Sequence, residues 1–105
     1  MKSVQAIVDH SKLNDVRASL ARAGVDGMTI TDVRGYEREA GRENKLQLVP
    51  KLKIQIVVED GRVPALVEEL VRATRTGRLG DGKIFVLPVD DAVRIRTSER
   101  GRDAL

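Results

Sequence analysis

Apolar and polar positions alternate at the start of the chain. In residues 3–8 the side chains of Val4, Ala6 and Val8 fall on one face of a predicted strand. The spacing then changes. Leu13, Val16, Leu20 and Ala23 recur at helical intervals behind Ser11, a residue able to cap a helix, and Gly24 stands where a helix would stop. A second strand is predicted from Met28 to about Tyr36. Residues 37–47 are polar without a legible period, which predicts a mobile loop. The clearest alternation follows, with Leu52, Ile54, Ile56 and Val58 interleaved with Lys51, Lys53, Gln55 and Val57. Asp60 and Gly61 turn the chain. Pro64 opens a second helix that buries Val63, Leu66, Val67, Leu70 and Val71. After a glycine-punctuated loop at 76–83 come a buried strand, Ile84–Leu87, and a short last strand with Val93 and Ile95 on one face and Arg94 and Arg96 on the other. The tail, residues 97–105, is polar and is expected to be mobile unless something docks it.

The order βαββαβ plus a short extra C-terminal strand predicts an α+β, ferredoxin-like sandwich with two helices on one face of an antiparallel sheet. Residues 1–105 form one domain, without repeats or linkers. The alternating strand satisfies only one face of that sheet, so self-association is expected to cover the other.

Composition narrows the class. There is no cysteine, which excludes disulfide and thiolate chemistry and points to the cytosol. No apolar run approaches the ~20 residues of a membrane span, and the N-terminal residues do not read as a signal peptide. The net charge of +3 comes from interspersed signs, and Tyr36 and Phe85 are the only aromatic residues besides His10, so a nucleic-acid platform is poorly supplied. His10 has no partner ligands for a metal, and no serine or threonine has a histidine–carboxylate relay. No catalytic or metal-binding residues are assigned, and an enzyme is not expected.

Two features could hold an anion. In Thr76–Lys83 (TGRLGDGK), Gly77, Gly80 and Gly82 permit positive φ and close approach of backbone N–H groups, with Lys83 adding charge. The spacing is not that of a P-loop, and a tight helix-to-strand turn explains the glycines equally well. Arg94 and Arg96, two residues apart on a strand, would place two guanidinium groups roughly 7 Å apart, suited to a phosphate or simply to a solvated edge.

The stretch TRTGRLGDGKIFVLPVDDAVRIRTSERG, residues 74–101, resembles the C-terminal signature of PII signal-transduction proteins. AIVDHSKLNDVRASLARAGVDGMTITDVRGY and VPKLKIQIVV resemble the family's first strand, helix, second strand and third strand. The resemblance implies a homotrimer binding ATP, ADP or AMP between subunits, with no permanently bound cofactor. It implies that Thr76, Gly80, Asp81, Gly82 and Lys83 form the phosphate loop, that Arg94 and Arg96 reach in from the adjacent subunit, and that Thr29, Gly35, Val57 and Arg38 surround the adenine, ribose and loop root.

Departures from the family pattern refine this. Residues 37–48 are a T-loop several residues shorter than usual, and they lack the tyrosine that some members uridylylate. Glu39 replaces a glutamine that helps hold magnesium and 2-oxoglutarate, which leaves magnesium undecided. Glu37 replaces a glycine and Gln55 a glutamate, while Lys51 is retained. The pattern is similar to short-loop members associated with carboxysomes and bicarbonate uptake. It implies a small-anion effector, with bicarbonate favoured, held by Arg38, Arg42 and Lys51. The expected partner is a transporter or enzyme, without nucleic acid and without direct membrane insertion. Two alternatives remain: a nitrogen regulator that responds to 2-oxoglutarate and controls an ammonium transporter, and a metal-handling or enzymatic trimer on the same fold, as in the divalent-cation-tolerance family.

Overall fold

A computed structural model describes residues 1–25, 27–39 and 41–105, with the backbone alone at Glu43. Strand β1 (Lys2–Asp9) runs through the middle of a four-stranded sheet, antiparallel to β3 (Arg42–Val58) on one side and β4 (Gly82–Pro88) on the other. Strand β2 (Thr29–Glu39) pairs with β3 at the outer edge, so the order is β2-β3-β1-β4. This is the expected ferredoxin-like arrangement, with α1 (Leu13–Arg22) and α2 (Val63–Thr74) packed against each other and the sheet.

Period-2 alternation explains the core. Val4, Ala6 and Val8 face Ile56, Ile54 and Leu52 across the β1–β3 ladder, and these six are buried with Val16, Leu20, Leu66 and Leu70 from the helices. The helix ends follow local chemistry. Gly24, at φ +74°, ends α1 in a Schellman arrangement, its N–H donating to the Ala21 carbonyl while that of Val25 donates to Leu20. Pro64 stands in the first turn of α2, where its missing N–H is not needed. Ser11 does not cap α1. A short 3-10 turn, His10–Lys12, precedes the helix, and Asp9 caps that turn by accepting the Ser11 N–H at 2.9 Å. Aspartate one turn earlier offers a stronger acceptor than the serine hydroxyl.

Three further expectations are corrected. Residues 37–48 are not a loose loop. Glu37–Glu39 end β2, and Arg42–Leu48 begin β3, paired through Glu37↔Gln47 and Arg38↔Leu46 (Ala40 lies outside the described residues). Here β3 has only β2 beside it, since its pairing with β1 begins at Lys51. With neither face buried, no apolar period marks these residues, and main-chain hydrogen bonds alone define the strands. The short final strand is also absent. Val93 forms an isolated bridge with Arg100, and residues 95–97 turn between them. Finally, the tail is folded back. The Gly101 N–H donates to the Ala92 carbonyl at 2.9 Å, Arg102 pairs with Glu59 at 3.3 Å, and Gly101–Ala104 make a 3-10 turn.

Candidate functional site

The loop between α2 and β4 is shaped by one carboxylate. Asp81 accepts from the Thr76 N–H at 2.8 Å, the Gly77 N–H at 2.9 Å and the Thr76 hydroxyl. The Thr76 hydroxyl oxygen in turn accepts from the Arg78 N–H at 3.2 Å. The Thr76 hydroxyl first, then the two amides, hold the Asp81 carboxyl below the usual aspartate range. Asp81 and Thr76 therefore organise the loop through each other. Gly77, Gly80 and Gly82 sit at φ +83°, +89° and +108°, which a side chain would strain. At Gly82 the reason for glycine is also steric, because a Cβ there would lie 1.9 Å from the Ile7 carbonyl oxygen.

This loop overhangs the open face of the sheet near β1, β2 and β3. A cleft of about 480 Å³ lies between them, lined by Gly35, Glu37, Lys51, Arg78, Lys83 and Phe85 among others. On the loop's other flank a groove of about 600 Å³ runs beside Asp9, Lys12 and Thr76. Within the cleft Lys51 is only 6% exposed. Its Nζ donates to the Gly80 carbonyl at 2.8 Å and lies 2.7 Å from Glu37 Oε2. That Glu37 oxygen is buried and has no partner with hydrogen-bond geometry, so the contact with Lys51 is an ion pair. The side chains of Lys83 and Arg78, by contrast, have no ion pair among the described residues, and both line the cleft.

The ladder register gathers several of the residues singled out from sequence. Thr29 pairs with Gln55, Gly35 with Val49, Val57 with Ser3 and Lys83 with Ile7, all on the sheet face opposite the helices, together with Lys51. Thr29 and Val57 lie some 13–20 Å along the strands from Lys51, at the other end of that face. Arg38 is on the opposite side of the β2–β3 ladder, with Tyr36, Leu46 and Leu48, and Arg42 is near the hairpin end, paired with Glu39. Arg38 and Lys51 thus do not share a face. Arg94 and Arg96 do not share a strand face either, because the chain turns at 95–97. Arg94 donates to Glu99 at 3.1 Å and to the Leu105 carbonyl at 3.0 Å, Arg96 is exposed, and neither lines its own chain's cleft.

Sequence reasoning missed the central contact. Glu37 registers there only as a replaced glycine, and strand register would not have paired it with Lys51 either, because Lys51 lies opposite Val33, four positions away on the same sheet face. Arg78 and Leu79, both lining the cleft, carried no signal beyond their place in the loop. No group of three or more metal-ligating side chains occurs among the described residues.

A family model described as nitrogen regulatory protein P-II matches residues 1–99. The chain is 47% identical to the nitrogen regulatory protein P-II of Synechocystis sp. and 42% identical to that of Azospirillum brasilense, each over 112 aligned positions spanning both proteins in full. The chain's 105 residues leave seven of those positions empty on its side. A crystal structure of Arabidopsis thaliana PII bound to citrate is similar with a TM-score of 0.86 and 40% identity, covering 99% of this chain and 91% of that one.

Proposed function

This chain belongs to the nitrogen regulatory protein P-II family, a family of signal-transduction regulators, and from that premise we propose that it is a non-catalytic cytosolic sensor of adenine nucleotides. ATP, ADP or AMP would bind between subunits of a homotrimer, with the phosphates over the Gly80–Lys83 segment and the adenine toward Thr29 and Val57. The observation that carries this reading is the cleft itself. Two cations without ion pairs, Lys83 and Arg78, line it on the same loop as Gly80 and Gly82, whose positive φ and missing side chains let a ligand approach the backbone closely. Arg94 and Arg96 of a neighbouring subunit complete the phosphate contacts. The occupied state then reaches a transporter or enzyme through the projecting hairpin.

The test is calorimetry with ATP, ADP and AMP, with and without magnesium. Each charge-assisted phosphate contact contributes roughly 1.5–3 kcal/mol, so Lys83→Ala and Arg94→Ala are each expected to weaken binding about ten- to a hundredfold. Unchanged affinity in both variants, or no binding of any of the three nucleotides to the unmodified protein, overturns the assignment.

What the nucleotide signal is combined with divides two readings. Inorganic carbon, sensed as bicarbonate, suits the short hairpin, and its site would lie elsewhere in the cleft than at the Lys51 ammonium that Glu37 already pairs. Nitrogen status, sensed as 2-oxoglutarate, is favoured by the names of the relatives and opposed by carboxylates at Glu37 and Glu39, which repel a dicarboxylate. Nucleotide titrations with each anion at matched pH and ionic strength separate them. The true effector raises nucleotide affinity and the other does not.

A further inference from the structure

The Lys51 ammonium is buried beside a glycine, and the space that glycine leaves is taken by a carboxylate of the same chain. A Cβ on Gly80 would lie 2.5 Å from Glu37 Oε2 and 3.0 Å from its Cδ and Oε1. The seat thus has an ammonium on one side, a position stripped of its side chain on the other, and room between them for one carboxylate. Burying an ammonium is tolerated only with a counter-charge, and the ion pair with Glu37 at 2.7 Å is the one Lys51 makes among the described residues. Glu37 is likewise half of a fixed arrangement, because its buried oxygen meets no donor in hydrogen-bond geometry and is held by charge alone.

We propose that Glu37 is a tethered carboxylate ligand that fills an anion seat formed by Lys51 and Gly80, so that this protein docks its hairpin on the glycine loop without a free carboxylate. The proposal rests on the assignment of this cleft to ligand binding. It differs from that assignment in holding that the carboxylate part of the cleft is already occupied in cis. A side chain anchored one strand away acts at an effective concentration of millimolar or above, so a free monocarboxylate of ordinary affinity cannot compete with it. Cutting the tether should open the seat to small carboxylates in solution.

The experiment is chemical rescue with acetate against chloride at equal ionic strength, read by thermal unfolding and by the fluorescence of Tyr36. Tyr36 directly precedes Glu37 in β2 and is the chain's one tyrosine, with no tryptophan to mask it. Glu37→Gly and Glu37→Ala are expected to unfold at lower temperature and to recover saturably with acetate, whereas the unmodified protein responds at least about tenfold more weakly. Glu37→Gln keeps the shape and loses the charge, so it is expected to be destabilised yet not rescued, because its amide still fills the seat. Adding Lys51→Ala to either opened variant should abolish rescue. The proposal is overturned if acetate acts equally on unmodified and opened proteins, if neither opened variant responds beyond chloride, or if Glu37→Gln is as stable as the parent. Should the opened variants fail to fold, the last outcome still decides. Nucleotide calorimetry on the same samples keeps the two ideas apart: loss of nucleotide binding everywhere removes the sensor reading and leaves acetate rescue to be judged by itself.

Discussion

At Gly82 the main chain enters β4 so close to β1 that a single methyl group would meet the Ile7 carbonyl at 1.9 Å, in a conformation with φ at +108°. Strained φ costs about 1–3 kcal/mol by itself, and backbone on both sides leaves little room to relax. Gly82→Ala is therefore expected to lower stability by about 3 kcal/mol or more, whereas Gly61→Ala, with open space around it and ordinary φ, should fall within about 0.5 kcal/mol of the parent. Urea midpoints of the two variants check this, and similar values for both would show that β4 can move away from β1. Residue type made Gly82 legible as special but not why, since the Ile7 oxygen is 75 positions away along the chain. Asp81 shows the opposite limit. An acidic residue in an anion loop looks misplaced in sequence, and only the three donors around it show that its charge is already engaged in holding Thr76 and Gly77.

Among the elements, those that bury one face were the most readable, whereas β2 and β4, with little buried on either face, were read only from their β-prone residues, and β4 is not the buried strand expected. The alternation in Lys51–Val58 and the 3.6-residue recurrence in α2 arise because each buries one side against Val4, Ala6 and Val8. Arg42 and residues 44–48 of β3 are exposed on both sides, and so the pattern says nothing about them. A two-stranded ribbon of this kind is marginal alone, and its fastening to the rest is the Glu37–Lys51–Gly80 contact at its root. Lys51→Ala should leave the core intact while increasing tryptic cleavage at Arg42 and Lys45 by about tenfold, equivalent to roughly 1.4 kcal/mol of easier local opening. Mass spectrometry of the first fragments checks this. Cleavage beginning in α1 or α2 would show instead that Lys51 supports the whole domain.

For the molecule as a whole, the sheet face opposite the helices carries Phe85 and Leu87, 47% and 40% exposed, and the turn at 95–97 presents Ile95 at 97% exposure. Apolar groups displayed in this way are expected to be covered in an assembly with closed symmetry. Light scattering at micromolar concentration is expected to give three times the 11.6 kDa protomer mass, and a stable monomer would contradict it. One chain is elongated, at 51 × 23 × 21 Å. The central place of β1 also bears on how the protein comes to be folded. The strand of this sheet that is synthesised first pairs on one side with β3, and there the ladder can zip while the chain is still growing. On its other side Lys2 meets Pro88 and Val8 meets Gly82, so that partner is the strand of the sheet made last. Contacts across so much intervening chain make closure slow, and until it occurs β1 offers an unpaired edge to any other nascent strand. The tight passage at Gly82 is thus also where folding is completed, and a nascent chain stopped short of it would keep that edge open.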